Sequence, residues 1–358
     1  MTSALLPKAI ADAFAQQARA CASLGSPFTA AICQIVADHG LPESKTQARL
    51  AAWEGDPQGT GTAPALRLTG ALHNLVLRQA DRHLAAVYPP NQWSEETLQP
   101  AVFDAITRYD AMIHAFLDSP PQTNETGRAA ILLPALLTLA QRHALPVNLL
   151  ELGASAGLNQ NLQRFYYDYD AWRWGDPSSG VHLPCEWRGN AFQLSGQTID
   201  IASRKGCDIA PVAIETDEDR QHLVSYVWAD QTARLARTQA ALAIAKNHPP
   251  TVEKSGAADW LEKGLADAPT PSQWRVVFHT IMWQYMPTDE QARAAAAIQQ
   301  AGAAASTNAP LGWVRFEADG EKGSAGLYVT VWDGTERDGQ DMLLARGDFH
   351  GRWIEWRG

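Results

Sequence analysis

The segment LPVNLLELGASAGLN at residues 145–159 limits the possible folds of this chain more than any other stretch. A short apolar run ends near Glu151 and passes at once into a turn that contains Gly153 and Gly157, followed by a helical pattern. Such a strand-turn-helix junction lets the backbone approach a ligand closely and presents free N–H groups and a positive dipole end to it. The junction predicts a nucleotide-type site. The alternative is a tight turn used only for packing.

The chain differs in character on the two sides of this segment. Before it the pattern is helical, as in the helix that Ser26 and Pro27 open and Gly40 closes, and no alternating strand pattern is found. After it, candidate strands alternate with helical stretches, and these strands cover residues 198–210, 251–259, 274–283, 312–319 and 326–334. This order predicts an α/β fold with a parallel sheet and helices on both of its faces.

Length and composition agree with this organisation. With 358 residues and roughly 150 residues per domain, we expect two domains: an all-helical one over 1–145 and an α/β one over 146–358. The aromatic, Gly- and Pro-rich stretch at 165–198 fits neither pattern and is expected to be an insertion. The net charge of −10, without a basic run, argues against nucleic acid as a partner.

The remaining global features point to a cytoplasmic protein. No apolar stretch approaches the roughly 18 residues of a membrane helix, and the amino-terminal residues have no signal-peptide pattern. Four scattered cysteines without a CxxC pair predict buried, reduced thiols. Since no His pair has metal-ligand spacing, we expect no metal site.

Four short motifs resemble those of class I S-adenosylmethionine-dependent methyltransferases. NLLELGASAGLN resembles the first motif, whose loop runs acid-x-Gly-x-Gly-x-Gly. The other three follow in order, and they are Gly206–Pro211, Ala258–Leu261 and Val277–Thr280. The resemblance covers roughly residues 146–335 and implies a Rossmann-like methyltransferase sheet with S-adenosylmethionine as the cofactor.

The resemblance also implies a set of cofactor-binding residues: Glu151, Gly153, Ala154, Ser155, Gly157, Asn159, Asp208, Asp259, Trp260 and His279. In this assignment residues 153–157 hold the methionine end, Asp208 the ribose and Asp259 the adenine. The chain departs from the family pattern at two positions, since Ser155 replaces the middle glycine and His279 stands where Asp or Asn is more common. The compact Rossmann spacing of roughly 20 residues points instead to Asp168 or Asp170 as the ribose acid.

Nearly the whole chain is also similar to an uncharacterised bacterial family, domain of unknown function 2332, which is predicted to be methyltransferase-like. The stretches that carry this similarity are QTNE at 122–125 with Arg128, the ELGASAGLN loop, the Arg204-x-Gly206-x-Asp208 strand and FHGRW at 349–353. The family implies a fold but no substrate. We expect substrate-side groups at Asn124, Glu125, Arg128 and His350.

Candidate catalytic groups lie near the carboxyl end of the predicted strand at 274–283 and just after it. His279 would be a general base, because its ordinary pKa lies near neutrality, and Tyr285 would line the acceptor pocket. The [DN]PP[YF] motif of base-directed amino-methyltransferases is absent, so we expect transfer to a small-molecule acceptor. The helical domain would act as a lid or as the contact surface of a homodimer.

Two alternatives remain open. The first is a serine hydrolase, since residues 153–157 also satisfy G-x-S-x-G with Ser155 as nucleophile and Asp319 and His350 as partners. Against it, no strand is predicted upstream, no HGGG-like segment is found and Glu151 has no role in such an elbow. The second is a methyltransferase-like binding module that has lost catalysis.

Overall fold

The computed structural model describes residues 3–59, 61–122, 125–193, 196–335 and 338–358. The chain forms two compact units. We call Met1–Thr123 with Ile214–Gln239 the helical unit, and Asn124–Ala213 with Ala240–Gly358 the sheet unit. This division differs from the predicted boundary at residue 145, because Ala129–Arg142 belongs to the sheet unit and Asp217–Ser225 to the helical unit.

The α-helices, in chain order, are α1 (Lys8–Ser23), α2 (Pro27–His39), α3 (Lys45–Ala51), α4 (Pro64–Leu77), α5 (Arg82–Ala86), α6 (Glu95–Arg108), α7 (Asp110–Phe116), α8 (Ala129–Arg142), α9 (Asp217–Ser225), α10 (Thr232–Asn247), α11 (Ala257–Gly264) and α12 (Thr288–Ala303). The strands are β1 (Ser3–Ala4), β2 (Leu41–Pro42), β3 (Val147–Leu152), β4 (Tyr166–Asp168), β5 (Arg173–Trp174), β6 (His182–Pro184), β7 (Glu186–Gly189), β8 (Ile201–Asp208), β9 (Val252–Lys254), β10 (Trp274–Thr280), β11 (Leu311–Glu317), β12 (Ala325–Trp332), β13 (Asp341–Gly347) and β14 (Trp353–Trp356).

The helical unit is built around one apolar core. Residues at helical spacing on α4, Leu68, Leu72 and Leu75, are all buried in it. The helix predicted after Ser26 is confirmed as α2, with Gly40 at a φ of 67° directly after it. The amino terminus of α2 is capped by Asp230, which lies 204 residues after Ser26 in the chain. The Asp230 carboxylate accepts hydrogen bonds from the Ser26 hydroxyl and from the Phe28 amide.

One element of this unit was not expected. The prediction of an all-helical amino-terminal region is wrong for β1 and β2, which form an antiparallel pair. Strands of two residues are too short to show any alternation of apolar and polar side chains. The pair brings the backbone of Gly40 close to Ala4, since a Cβ on Gly40 would lie 2.0 Å from the Ala4 carbonyl oxygen.

The sheet unit contains a mixed, mostly parallel sheet of nine strands in the order β7-β14-β13-β12-β11-β10-β3-β8-β9. The five strands from β9 to β11 are parallel neighbours, whereas β12, β13 and β14 follow as antiparallel strands. The α/β class predicted from the alternating pattern is therefore confirmed. From β3 the chain passes to β8 and β9 on one side and later to β10 on the other, so the strand order reverses between β3 and β10.

The stretch at 165–198, which was expected to be an insertion, lies in the chain between β3 and β8 of the large sheet. It holds a small sheet in the order β5-β4-β6, packed through aromatic rings such as Tyr169 and Trp172, whose centroids lie 4.1 Å apart. Its strand β7, however, pairs in parallel with β14 at the edge of the large sheet. Pairing between segments about 165 residues apart leaves no local pattern in the sequence.

The faces of the large sheet are covered by helices. Leu139 and Ile131 of α8 lie against β11 and β13, since Cβ atoms built on Gly312 and Gly347 would approach their side chains to 2.9 and 2.8 Å. Helices α11 and α12 share a second apolar cluster with residues of β3 and β10. The four cysteines are free and buried, as expected. Among the described helices, none combines the length and hydropathy needed to cross a bilayer.

Candidate functional site

The turn at residues 153–157 lies where the order of the parallel strands reverses. It follows β3, whose Glu151 is paired with Gly206 of β8 on one side and with Phe278 of β10 on the other. In open α/β sheets, ligands bind outside the carboxyl ends of the strands at such a point. The first strand and turn that the sequence indicates are therefore located where this class of fold places its ligands.

Three residues of the turn have a positive φ: Gly153 (63°), Ser155 (53°) and Gly157 (70°). Close approach explains both glycines, because a Cβ on Gly157 would meet Pro250 at 2.7 Å and one on Gly153 would meet Met282 at 3.0 Å. The helix expected after the turn is present over Leu158–Arg164, and it is of the 3-10 type. Its Gln160 side chain bonds the backbone of Thr251 instead of pointing to solvent.

Asp208 connects the turn to the neighbouring strand. At the carboxyl end of β8, its Oδ2 accepts from the Ser155 amide at 2.8 Å and its Oδ1 from the Ala210 amide at 2.8 Å. The two other aspartates considered for the ribose lie elsewhere. Asp168 pairs with Arg173 in the small sheet, and Asp170 follows it in the same segment. Of the three, Asp208 is the one bonded to the turn.

Buried polar atoms of the turn are left without protein partners. Glu151 Oε2, Ser155 Oγ and Asn159 Oδ1 are inaccessible to solvent and bond no other atom in the described ranges. An unsatisfied buried polar atom costs stability, and such atoms in a native fold call for an explanation. A bound polar ligand would supply the missing partners, so these three atoms fit a ligand site.

Glu151 is the electrostatically unusual member of the group. The pKa of Glu151 is raised to about 8, mainly by burial; a hydrogen bond from Gln160 opposes this shift, and the nearby charge of Asp208 adds to it. The side chain is therefore mainly protonated at neutral pH. Burying a cationic group beside it would favour the ionised form.

His279, the expected general base, is held by both ring nitrogens. It is 1% exposed at the end of β10, and its Nε2 accepts from the Trp313 indole at 3.1 Å. Because an indole N–H only donates, the proton of His279 is on Nδ1, which donates to Glu317 Oε1 at 2.6 Å. The Met282 amide also donates to Glu317. This arrangement orients the histidine and the turn that carries Met282.

Glu317 was missed in the sequence. It is the last residue of β11, and the predicted strand at 312–319 contains it. The sequence did offer one signal for Glu317, which is an acidic residue near the end of a predicted buried strand. The sequence did not reveal that neighbouring strands β10 and β11 bring the side chains of His279 and Glu317 together across 38 residues.

The predicted polar segment near residue 125 reaches the ends of the strands. Arg128 Nε donates to the Phe349 carbonyl at 2.9 Å, and its Nη1 donates to the Thr280 carbonyl at 3.3 Å. Asn159 Nδ2 donates to the Glu125 carbonyl at 3.4 Å. Four separate stretches of the sequence, the ELGASAGLN turn, the segment at 125–128, the end of β10 and the FHGRW turn, thus meet in the sheet unit.

The remaining predicted site residues have other surroundings. Asn124 lies outside the described residues. His350 sits in the FHGRW turn, where its amide donates to Asp348 and its carbonyl closely approaches Gly127. Asp259 is on the exposed face of α11 and pairs with Arg293, whereas Trp260 beside it is buried under Lys205. Tyr285 is 57% exposed.

The groups of the alternative hydrolase are not assembled. The Asp319 carboxylate is held by both terminal nitrogens of Arg346 and by the Tyr328 hydroxyl, and Arg346 lowers its pKa to about 2. Ser155 Oγ has no hydrogen-bond partner in the described ranges, whereas a triad serine bonds a histidine. Within those ranges, no group of three His, Cys, Asp or Glu side chains is arranged to hold a metal.

Comparison with known proteins shows a family relationship. The model of a family described as "Uncharacterized protein conserved in bacteria (DUF2332)" matches residues 11–356. No curated protein matches the chain.

Proposed function

We propose, from the premise that the chain belongs to the DUF2332 family of uncharacterized proteins conserved in bacteria, that it is an S-adenosylmethionine-dependent methyltransferase with a small-molecule acceptor. The observation that carries the proposal is the turn at 153–157, which follows β3 at the reversal of strand order and is bonded to Asp208 of β8. The order β9-β8-β3-β10-β11 supports a Rossmann-like arrangement of the parallel strands.

The chemistry of the turn supports a cationic, polar ligand. Glu151 is a buried carboxyl group with an unbonded oxygen, and the ammonium and sulfonium groups of S-adenosylmethionine would favour its ionised form. Asn159 Oδ1 is a second buried acceptor without a partner in the described part of the chain. With a neutral or anionic ligand, the Glu151 carboxyl would stay mainly protonated at neutral pH.

Individual roles follow from this placement. Glu151 and the backbone of residues 153–157 would hold the methionine end, and the Asp208 oxygens, each with a remaining lone pair, would accept from the ribose hydroxyls. When bound, S-adenosylmethionine supplies an electrophilic methyl group. We do not assign the adenine to Asp259, because Arg293 already pairs with that carboxylate.

His279 and Arg128 act as positioning residues in this proposal. Both ring nitrogens of His279 are engaged, so the imidazole orients Glu317 and the turn after β10 rather than removing a proton from the acceptor. Arg128 ties the end of β10 to the turn at Phe349. In-line positioning of the two reactants supplies most of the rate of such transfers, so a free catalytic base is not required.

The test is calorimetric titration of the full chain with S-adenosylmethionine and S-adenosylhomocysteine. We expect micromolar binding, weakened about 10-fold to 150-fold by Asp208→Ala, which is the range for hydrogen bonds to a charged group. Asp200→Ala is the matched control, because this exposed aspartate stands just before β8, at the opposite end from Asp208. No binding to folded protein, or equal affinity in the Asp208→Ala variant, would refute the proposal.

Binding without turnover would identify a non-catalytic module. Incubation of S-adenosylmethionine with pooled small metabolites, followed by mass spectrometry, separates the two cases. Formation of S-adenosylhomocysteine that depends on Asp208 supports an enzyme. Binding of S-adenosylmethionine without formation of S-adenosylhomocysteine supports a non-catalytic binding module.

A serine hydrolase is the second candidate, and one observation favours it. Ser155 has a φ of 53°, and strained backbone at the serine is typical of a nucleophile elbow. Labelling with a fluorophosphonate probe tests the hydrolase alternative. Labelling that is lost in Ser155→Ala would favour the hydrolase, and absence of labelling would remove it.

A further inference from the structure

A pocket lies within the helical unit, and none of its lining residues belongs to the candidate site. Its volume is about 320 Å³, and it opens between α4, α7 and α9. Every residue that lines it belongs to the helical unit, whereas the turn at 153–157 belongs to the sheet unit. Neither the sequence motifs nor the family relationship assigns anything to this pocket.

Part of the pocket lining is apolar and aromatic. Leu75 and Ile113 form part of its lining and are almost fully buried. Phe116 packs on the His222 ring at a centroid distance of 4.5 Å and an angle of 31°. Flat apolar and aromatic surfaces of this kind suit a ring-containing ligand.

Asn74 is the polar group inside the pocket. It lines the pocket and keeps 7% of its surface exposed, so a ligand in the pocket can reach it. The amide can donate two hydrogen bonds and accept others.

A single ion pair stands at the pocket. Arg78 Nη1 lies 2.9 Å from Glu218 Oε1, with side chains that are 40% and 71% exposed. Exposed pairs of this kind contribute little, so another carboxylate can replace Glu218 on Arg78. His222 does not compete as a cation, because burial lowers its pKa. Arg78 is thus the cation among the described residues of the lining.

We propose that this pocket binds a small aromatic carboxylate. The ring would lie on the surface formed by Leu75, Ile113 and Phe116, and the carboxylate would take the place of Glu218 on the Arg78 guanidinium. The Asn74 amide would donate to the same carboxylate or to a ring substituent. Glu218 is then an internal competitor that occupies the cation when the ligand is absent.

The test uses 2-naphthoate as the probe and the cationic 2-naphthylmethylamine as its charge-reversed counterpart. Saturation-transfer NMR and calorimetry on the full chain measure binding at neutral pH. We expect 2-naphthoate to bind, with at least a 10-fold loss of affinity in Arg78→Gln and a smaller loss in Asn74→Leu. The amine should bind at least 10-fold more weakly than the acid.

The Glu218→Gln variant tests directly whether Glu218 competes with the ligand for Arg78. Since it removes the competing carboxylate, we expect 2-naphthoate to bind several-fold more tightly to this variant than to the unaltered protein. The control is Arg82→Gln, an exposed arginine of the same unit that does not line the pocket. Equal thermal unfolding midpoints of the variants confirm that each one is folded.

Three results would overturn the proposal. They are the absence of 2-naphthoate binding to folded protein, tighter binding of the amine than of the acid, and an affinity that Arg78→Gln or Glu218→Gln leaves unchanged. None of these results bears on S-adenosylmethionine binding, which is measured with a different ligand and with variants in the sheet unit.

Discussion

At the scale of single residues, the fold strongly alters the chemistry of Glu151 in the turn after β3. It is buried beside Asp208, and its raised pKa of about 8 keeps it mainly protonated at neutral pH. Its Oε2 has no partner among the described residues. A buried acid of this kind, in a turn where ligands of this fold class bind, is suited to respond to a cation.

Cofactor binding should therefore release a proton. If a cationic group of S-adenosylmethionine lies beside Glu151, the carboxyl ionises on binding, and up to about one proton leaves the complex at pH 7. Affinity should rise with pH until the free protein is ionised, near pH 8. Titration in two buffers with different ionisation enthalpies measures the proton count. Glu151→Gln should abolish the release, and an equal release in that variant would contradict the assignment.

The same residue makes stability depend on pH. The pKa of Glu151 is about 8 in the folded protein and near its ordinary value of 4.5 when unfolded, so between these values the folded state holds more protons. The contribution of Glu151 to the free energy of unfolding therefore falls as pH rises from 4.5 to 8 and is constant above that range. In Glu151→Gln, the free energy of unfolding should depend less on pH. At pH 9 it should exceed that of the unaltered protein by on the order of a few kcal/mol. The measurement is urea unfolding of both proteins from pH 5 to 9. If their free energies of unfolding changed with pH by the same amount, this prediction would be wrong.

At the scale of elements, the turn after β3 depends on a backbone conformation that most residues avoid. Gly153→Ala places a Cβ about 3.0 Å from the Met282 side chain at a φ of 63°. We expect a stability loss of about 1–2 kcal/mol and at least tenfold weaker cofactor binding, since strain displaces the turn. Gly264→Ala is the control, because this glycine ends α11 with no atom within 4 Å of an added Cβ and no positive φ. Equal cofactor affinity in both variants would contradict this role of the turn.

The local elements of the site were predictable, but its partners were not. The strand before Glu151, the turn and the strand that ends in Asp208 each have a pattern within about ten residues. The bond between His279 and Glu317 depends on the pairing of β10 with β11, which no local pattern specifies. The helix at 158–164 was predicted from its pattern, but its 3-10 form and the inward bond from Gln160 to Thr251 were not.

At the scale of the whole molecule, the chain leaves and re-enters each unit. Composition placed a boundary at residue 145, where the helical pattern gives way to strands. The helical unit nevertheless includes residues 214–239, from which Asp230 binds the start of α2 and Tyr226 donates to the Ser119 carbonyl. A contact across more than 100 residues leaves no trace in hydropathy, so the discontinuous units could not be predicted from sequence.

Fragments cut at the predicted boundary should therefore fold only together. Residues 1–145 lack the segment at 214–239, and residues 146–358 lack α8, which covers β11 and β13. Each unit thus needs both fragments. We expect each fragment alone to show no cooperative unfolding by circular dichroism, because it exposes apolar surface that its missing segment buries. The two fragments produced together should co-purify and recover the far-ultraviolet spectrum of the intact chain. A fragment 146–358 that unfolds cooperatively on its own would show that α8 is dispensable to the sheet unit.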